Sequence, residues 1–387
     1  MEGGARQWRI HLHARLLQAG HQLQNLLGIL RMWRGAAPVR PGDPCLVVTI
    51  RSFQHGRYGF QLLNYFALAG YRIVFFRSHG FLARLSGYDR MVFQLPGARL
   101  WSRDMTLGGR AFPWLRLGMG AAVKAPPFDV SADLAVDLDF FGPAGRASGS
   151  YPLPYFVHPL LGRQLPVAQA RRAQARRARV LMYGQPDLTT DPVLERHFGL
   201  VPRSRVFDAL MGSGIPYFAP DDFAQLLRWL AVEPAVTRCC LIDSRKVWIP
   251  LDRWFEVLSC FDFFVATPGF CMPHAHNLME AMAVGTIPIL QYHHHLRPAL
   301  TPGVDCIGFD DRVSSVTAVE AALGMPDAEV AALRRGVVDY FDREVDPMAV
   351  VPRILSRAAG PAGLKLLFNA EEVSLRLPGA PGAVAPK

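Results

Sequence analysis

Apolar and polar positions along the chain fall into two kinds of pattern. Between residues 6 and 34, Trp8, Leu12, Leu16, Leu23, Leu26, Leu27, Leu30 and Trp33 recur near helical spacing, with Arg9, His13, Arg15, His21, Arg31 and Arg34 between them. This predicts a basic amphipathic helix that either lies on an anionic membrane or packs on the folded body. A breaker-rich stretch from Pro38 to Pro44 follows. Cys45–Ile50 then reads as a short buried strand, 59–70 as a helix and Tyr71–Phe76 as a second strand.

The second half alternates in the same way. Strands are predicted at Val180–Tyr183, Cys239–Ile242, Phe261–Ala266 and Thr286–Leu290, with helices near Val206–Met211, Leu251–Ser259 and Pro273–Val284 between them. From Asp327 a helical periodicity runs to about Leu367, and a Pro/Gly-rich tail follows Leu377. A run holding Arg171, Arg172, Arg176, Arg177 and Arg179 precedes Val180 and is expected to be a solvated helical face at the junction of two domains. The boundaries read as 1–40 for the N-terminal helix, 41–170 and 171–345 for two α/β domains, and 346–387 for a helix and loose tail.

Composition agrees with two packed cores. Of 387 residues, 50% are hydrophobic and 19% charged, which excludes disorder. Lys and Arg number 42 against 32 Asp and Glu, a net charge of +10 that favours an anionic partner. Phosphates, an anionic membrane surface and nucleic acid all suit that sign. No aromatic-interleaved basic stripe or helix-turn-helix pattern is present, so nucleic acid is not expected. The six cysteines show no metal-site spacing, and buried reduced thiols are expected. The start of the chain lacks a signal-peptide pattern, and no run reaches membrane-span length. A cytoplasmic protein follows, with the inner membrane face as an optional peripheral location.

The chemistry concentrates between Phe261 and Leu290. A buried strand ends at Ala266, Thr267-Pro268-Gly269 turns the chain, Pro273 suits a first helical position, and Gly285 closes the helix. In an open α/β sheet that helix start faces the carboxyl ends of the strands, where its free N–H groups suit phosphate. On the helix, His276, Asn277 and Glu280 fall opposite Leu278, Ala281 and Met282, and a carboxylate there is placed to accept from ribose hydroxyls.

This segment resembles the donor-site signature of GT-B glycosyltransferases, and the order from Asp252 through Thr267-Pro-Gly269, Glu280-Ala-Met282 and Gly285-Thr-Ile-Pro288 is similar to the exostosin-like family. The resemblance covers roughly residues 180 to 290. It implies two Rossmann-like doubly wound domains facing a central cleft, with a nucleotide-sugar donor in the C-terminal one and a glycan or lipid-linked acceptor. It also implies that Glu280 binds the ribose, and that the Pro268–His274 loop, Gly269 included, holds the diphosphate. Arg203 or Arg205 would neutralise the leaving group. Lys246 is a weaker cation for that role, and Trp248 and Pro250 would line the base. Many retaining members carry a Glu, seven residues and a second Glu; with Glu280 as the second, the first position is Met272 here, which removes their donor-sugar contact.

His55, in the loop after the first strand, is the expected general base. No cofactor or metal is required on this reading. His293, His294 and His295, on the same crevice rim, are expected to contact donor or acceptor rather than a metal. The alternatives are a metal-dependent transferase using Asp137 and Asp139, and a non-catalytic basic protein binding nucleic acid or membrane. The composition suggests bacterial surface polysaccharide or lipopolysaccharide assembly.

Overall fold

A computed structural model describes residues 20–34, 39–40, 42–50, 56–85, 87–102, 105, 111–117, 126–138, 140–141, 149–186, 191–232, 239–310, 314–359 and 363–369. The chain forms two compact units. Among the described residues, the first takes those up to Asp137, 149–151 and Val351–Leu367, and the second takes Pro152–Val350 with smaller pieces around 138–141 and 368–369. The chain therefore passes between units more than once, and neither 170 nor 345 marks a boundary. Residues 152–170 belong to the second unit because their side chains pack on its helices.

In the first unit, strands β1 (Cys45–Ile50), β2 (Arg72–Phe75), β3 (Arg99–Leu100), β4 (Ala111–Leu117), β5 (Asp129–Asp137), β6 (Ser150–Pro152) and β13 (Leu364–Leu367) form one sheet in the order β3-β2-β1-β4-β5-β13-β6. The neighbouring pairs from β3 to β13 are parallel. β1 is buried along its whole length, as its unbroken apolar run requires of a parallel central strand. Val47 of this strand packs in one cluster with Val74, Phe76, Phe112 and Trp114, and Trp114 Nε1 donates to Thr49 Oγ1 at 3.0 Å, which satisfies two buried polar groups. The segment 364–367, expected to continue a helix, is instead a strand. The helices end at Glu344 and Ala358, and Leu364–Leu367 then pair with Leu134–Asp137.

The second unit is built on β7 (Ala178–Gly184), β8 (Tyr217–Phe218), β9 (Cys239–Asp243), β10 (Phe261–Val265), β11 (Ile287–Leu290) and β12 (Ile307–Gly308). Their order is β12-β11-β10-β7-β9-β8, and every neighbouring pair is parallel. In both units the order reverses around the first strand, between β1 and β4 and between β7 and β10. That reversal is the mark of a doubly wound α/β sheet and leaves a crevice at the carboxyl ends of the two strands.

The arginine run is a solvated face only in part: Arg177 is exposed, but its neighbours are engaged. Arg172 donates through Nε to Ala283 O at 2.9 Å and holds Asp342 with both terminal nitrogens, at 2.8 and 2.7 Å. Arg176 donates to Ser259 O and Val284 O at 2.6 and 2.7 Å. Ala283 and Val284 end the helix His276–Ala283, whose last carbonyls have no intrahelical donor. Two guanidinium groups supply those bonds and meet the negative end of the helix dipole. Arg179, buried, pairs with Asp262 at 3.0 Å and with Asp327 at 2.7 Å, and Asp262 also meets Arg334. The six cysteines are buried and free. No described helix is long and apolar enough to cross a membrane.

Candidate functional site

The loops after β7, β9, β10 and β11 leave the carboxyl ends of the second unit's central strands. The reversal of strand order falls between β7 and β10, so Gly184 and Thr267-Pro268-Gly269 border the crevice. Arg203 sits there. It opens the helix Arg203–Gly212, and its guanidinium donates through Nε to Thr267 Oγ1 at 2.7 Å and through a terminal nitrogen to Pro268 O at 3.0 Å. Gly184 makes room for it, since a Cβ at that position would lie 2.9 Å from Arg203 Cδ. Tyr292, fully buried at the end of β11, donates from its hydroxyl to Thr267 O at 3.3 Å and feels the Arg203 charge. A cation is thus fixed at the switch point by the loop after β10, beside the end of β7.

Of the two arginines open as leaving-group partners, the structure separates one from the other. The Arg205 side chain is 68% exposed and pairs with Glu195 at 2.8 Å. Lys246 and Trp248 lie in the loop after β9, both exposed, alternating with the buried Val247 and Ile249. Pro250 is the N-cap of the helix Leu251–Leu258.

Gly269 is required by packing. A Cβ there would collide with the backbone carbonyl oxygen of His274, so the Pro268–His274 loop closes on itself at a residue without a side chain. The helix that follows begins at His276 and not at Pro273, with Ala275 as N-cap. The delay has a visible cause: His274 is turned inward. Its Nε2 meets His295 O at 3.1 Å, its Nδ1 meets Asn369 Nδ2 at 3.0 Å, and the rings of Phe140, Phe141 and Tyr155 surround it. Burial pushes its pKa down to about 4, so the ring is neutral, donates from Nε2 and accepts at Nδ1. Because Ala275 offers no side-chain acceptor, the first-turn N–H groups of this eight-residue helix have no side-chain cap.

Glu280 is buried, not an exposed helical acid. Its carboxylate accepts from Trp254 Nε1 at 2.7 Å and from the backbone N–H of His158 at 2.8 Å. Burial pushes its pKa up to about 7, against the pull of those two donors. His276 stacks on Tyr155 with ring centres 4.7 Å apart, and its Nδ1 lies 2.8 Å from Phe156 O. One face of the helix thus clamps the segment 155–158, while Asn277 Oδ1 is buried with no hydrogen-bond partner.

His55 and Asp139 lie outside the described residues. Asp137 pairs with Lys365 at 3.5 Å. His293, His294 and His295 form one 3₁₀ turn in the loop after β11, and no described group of His, Cys, Asp and Glu is arranged to hold a metal ion. The sequence reading missed Trp254, His158, Tyr155 and Asn369. Thr267 lay within the quoted Thr-Pro-Gly motif without a role.

No family model matches the chain, and no curated protein matches it. Among solved structures it is similar to WaaG, a glycosyltransferase involved in lipopolysaccharide biosynthesis, at 11% identity and a TM-score of 0.36 over 82% of this chain and 100% of that one. It is also similar to Anabaena HepE, solved in complex with UDP and glucose, at 9% identity and a TM-score of 0.40 over 81% of this chain and 98% of that one.

Proposed function

We propose that the chain is a glycosyltransferase of the GT-B type, similar to the exostosin-like family, that moves a sugar from a nucleotide-sugar donor to a glycan or lipid-linked acceptor. The observation that carries this reading is Arg203, fixed on Thr267 and Pro268 at the reversal of strand order in the second unit. Ligands of open α/β sheets bind at that place. A cation fixed there is suited to a diphosphate, and the start of the Glu280 helix adds N–H groups and the positive end of a dipole.

In the reaction the acceptor oxygen bonds to the anomeric carbon of the donor sugar while the bond from that carbon to the diphosphate oxygen breaks. Negative charge grows on the departing nucleoside diphosphate, and Arg203 meets it without a metal ion. His55 takes the acceptor proton. With Met272 where retaining relatives carry Glu, the transfer inverts the anomeric carbon. Glu280 accepts from the ribose through lone pairs beyond those given to Trp254 and His158, since a carboxylate offers about four. Trp248 lines the base. The assembly served is bacterial surface polysaccharide or lipopolysaccharide.

A thermal-shift panel of UDP, GDP, CDP and ADP tests the reading. At 100 times its dissociation constant the true nucleotide stabilises the protein by about 2.7 kcal/mol. A panel in which none of the four moves the transition refutes it.

A further inference from the structure

The helix over residues 20–34 packs on the first unit by the face that its apolar pattern does not select. Asn25, Gly28 and Met32 point inward. Asn25 Nδ2 donates to Ala83 O and Leu85 O at 3.2 and 2.9 Å, and Arg90 Nε donates to Asn25 Oδ1 at 3.2 Å. A Cβ on Gly28 would stand 2.6 Å from the ring of Phe93, so the helix is pressed close. The opposite face carries Leu23, Leu26, Leu27, Leu30 and Trp33, spaced for one side of a helix, and it is open: Leu23 is 60% exposed and Trp33 65%. Isolated exposed leucines are ordinary, but a contiguous stripe of this kind marks an interaction surface.

Charge on the page says what covers it. Arg31 and Arg34 border the stripe, and the Arg34 guanidinium lies 5.9 Å from the centre of the Trp33 ring. Beside it runs a groove of about 510 Å³ lined by Leu27, Arg31, Arg90, Gln24 and Gln94 among others, with no carboxylate among its lining residues. Leu27 belongs to both the stripe and the groove, and Arg31 borders the one and lines the other. An apolar stripe flanked by arginines, with a Trp at one end and a basic groove alongside, matches the two layers of a bilayer surface, acyl chains and anionic headgroups. The whole chain adds a net charge of +10.

We infer that this helix face docks the protein on an anionic lipid bilayer, with Leu23, Leu26, Leu27, Leu30 and Trp33 entering the interface and Arg31 and Arg90 receiving headgroup phosphates. The inference stands apart from the sugar-transfer reading, whose carrying observation is Arg203 in the other unit. Co-sedimentation of the full chain with phosphatidylcholine vesicles, with and without phosphatidylglycerol, tests it.

Wild type is expected to sediment with phosphatidylglycerol vesicles, to be released by added salt, and to ignore phosphatidylcholine alone. The double variants Leu26→Glu/Leu30→Glu and Arg31→Glu/Arg34→Glu are expected to bind at least about tenfold more weakly. Their melting temperatures should equal that of wild type, because all four side chains are exposed. Failure of wild type to sediment, binding that does not depend on phosphatidylglycerol, or binding untouched by both variants overturns the inference. So does a dimer in light scattering that Leu26→Glu/Leu30→Glu dissociates while wild type ignores vesicles, which would make a second copy the occupant.

Discussion

Replacing Glu280 by Gln isolates the cost of burying a carboxyl group between Trp254 and His158. Its pKa is ordinarily 4.5 and stands at about 7 in the folded chain. The folded state therefore keeps its proton while the unfolded state loses it, and wild-type stability falls as pH rises through that window. Below 4.5 both states are protonated and the full stability is present; above 7 both are ionised and the loss is complete. A difference of two and a half pH units at about 1.36 kcal/mol each amounts to about 3 kcal/mol. Gln has no proton to lose. It also turns an amide N–H toward one of the two donors, at a pH-independent cost of about 1–3 kcal/mol. Urea unfolding of both proteins, followed by circular dichroism from pH 4.5 to 8, should show wild type losing about 3 kcal/mol relative to Glu280→Gln. Parallel stability curves would refute the burial argument, since every other titrating group is shared.

Gly269→Ala should destabilise the protein by about 1–3 kcal/mol or more, because its Cβ meets the His274 carbonyl and backbone cannot yield as a side-chain tip can; a melt equal to wild type would show that the loop closes differently. Turnover should survive EDTA, and His55→Ala should lower kcat by about 10² to 10⁴-fold with nucleotide affinity unchanged. Loss of activity in EDTA with recovery in manganese would favour the Asp137 and Asp139 alternative, and a near-normal kcat would remove His55 as the base. Ribose hydroxyls donating to Glu280 favour its ionised form, so nucleotide binding near pH 7 should release a proton, seen as a heat that changes with the ionisation enthalpy of the buffer. A heat identical in all buffers would take Glu280 out of ribose binding.

The buried parallel strands were the most legible part of the sequence. Cys45–Ile50 has the bounds expected of it, and β7, β9, β10 and β11 lie within about two residues of theirs, because a strand covered on both faces leaves an unbroken apolar run. Legibility failed where long-range contacts decide. Nothing local distinguishes Leu364–Leu367 from a helical continuation; its strand state comes from pairing with β5. Arg172 and Arg176 read as solvated because a charge run normally is, and their actual partners are carbonyls more than a hundred and more than eighty residues away. Glu280 was singled out on the polar face of its helix as the ribose partner. Its burial was hidden, since Trp254 and the His158 N–H come from two other segments. The choice between Arg203 and Arg205 likewise rests on Thr267 and Pro268, more than sixty residues along the chain.

The central claim is that Arg203, at the switch point of the second sheet, holds the diphosphate of a nucleotide-sugar donor. Isothermal titration of the nucleotide that stabilises wild type, carried out on Arg203→Ala and Arg205→Ala, addresses it most directly. The account predicts that Arg203→Ala weakens binding by about 1.5–3 kcal/mol, the range for a hydrogen bond to a charged group, while Arg205→Ala binds as wild type does. Equal affinity in wild type and Arg203→Ala, or a loss confined to Arg205→Ala, would contradict it.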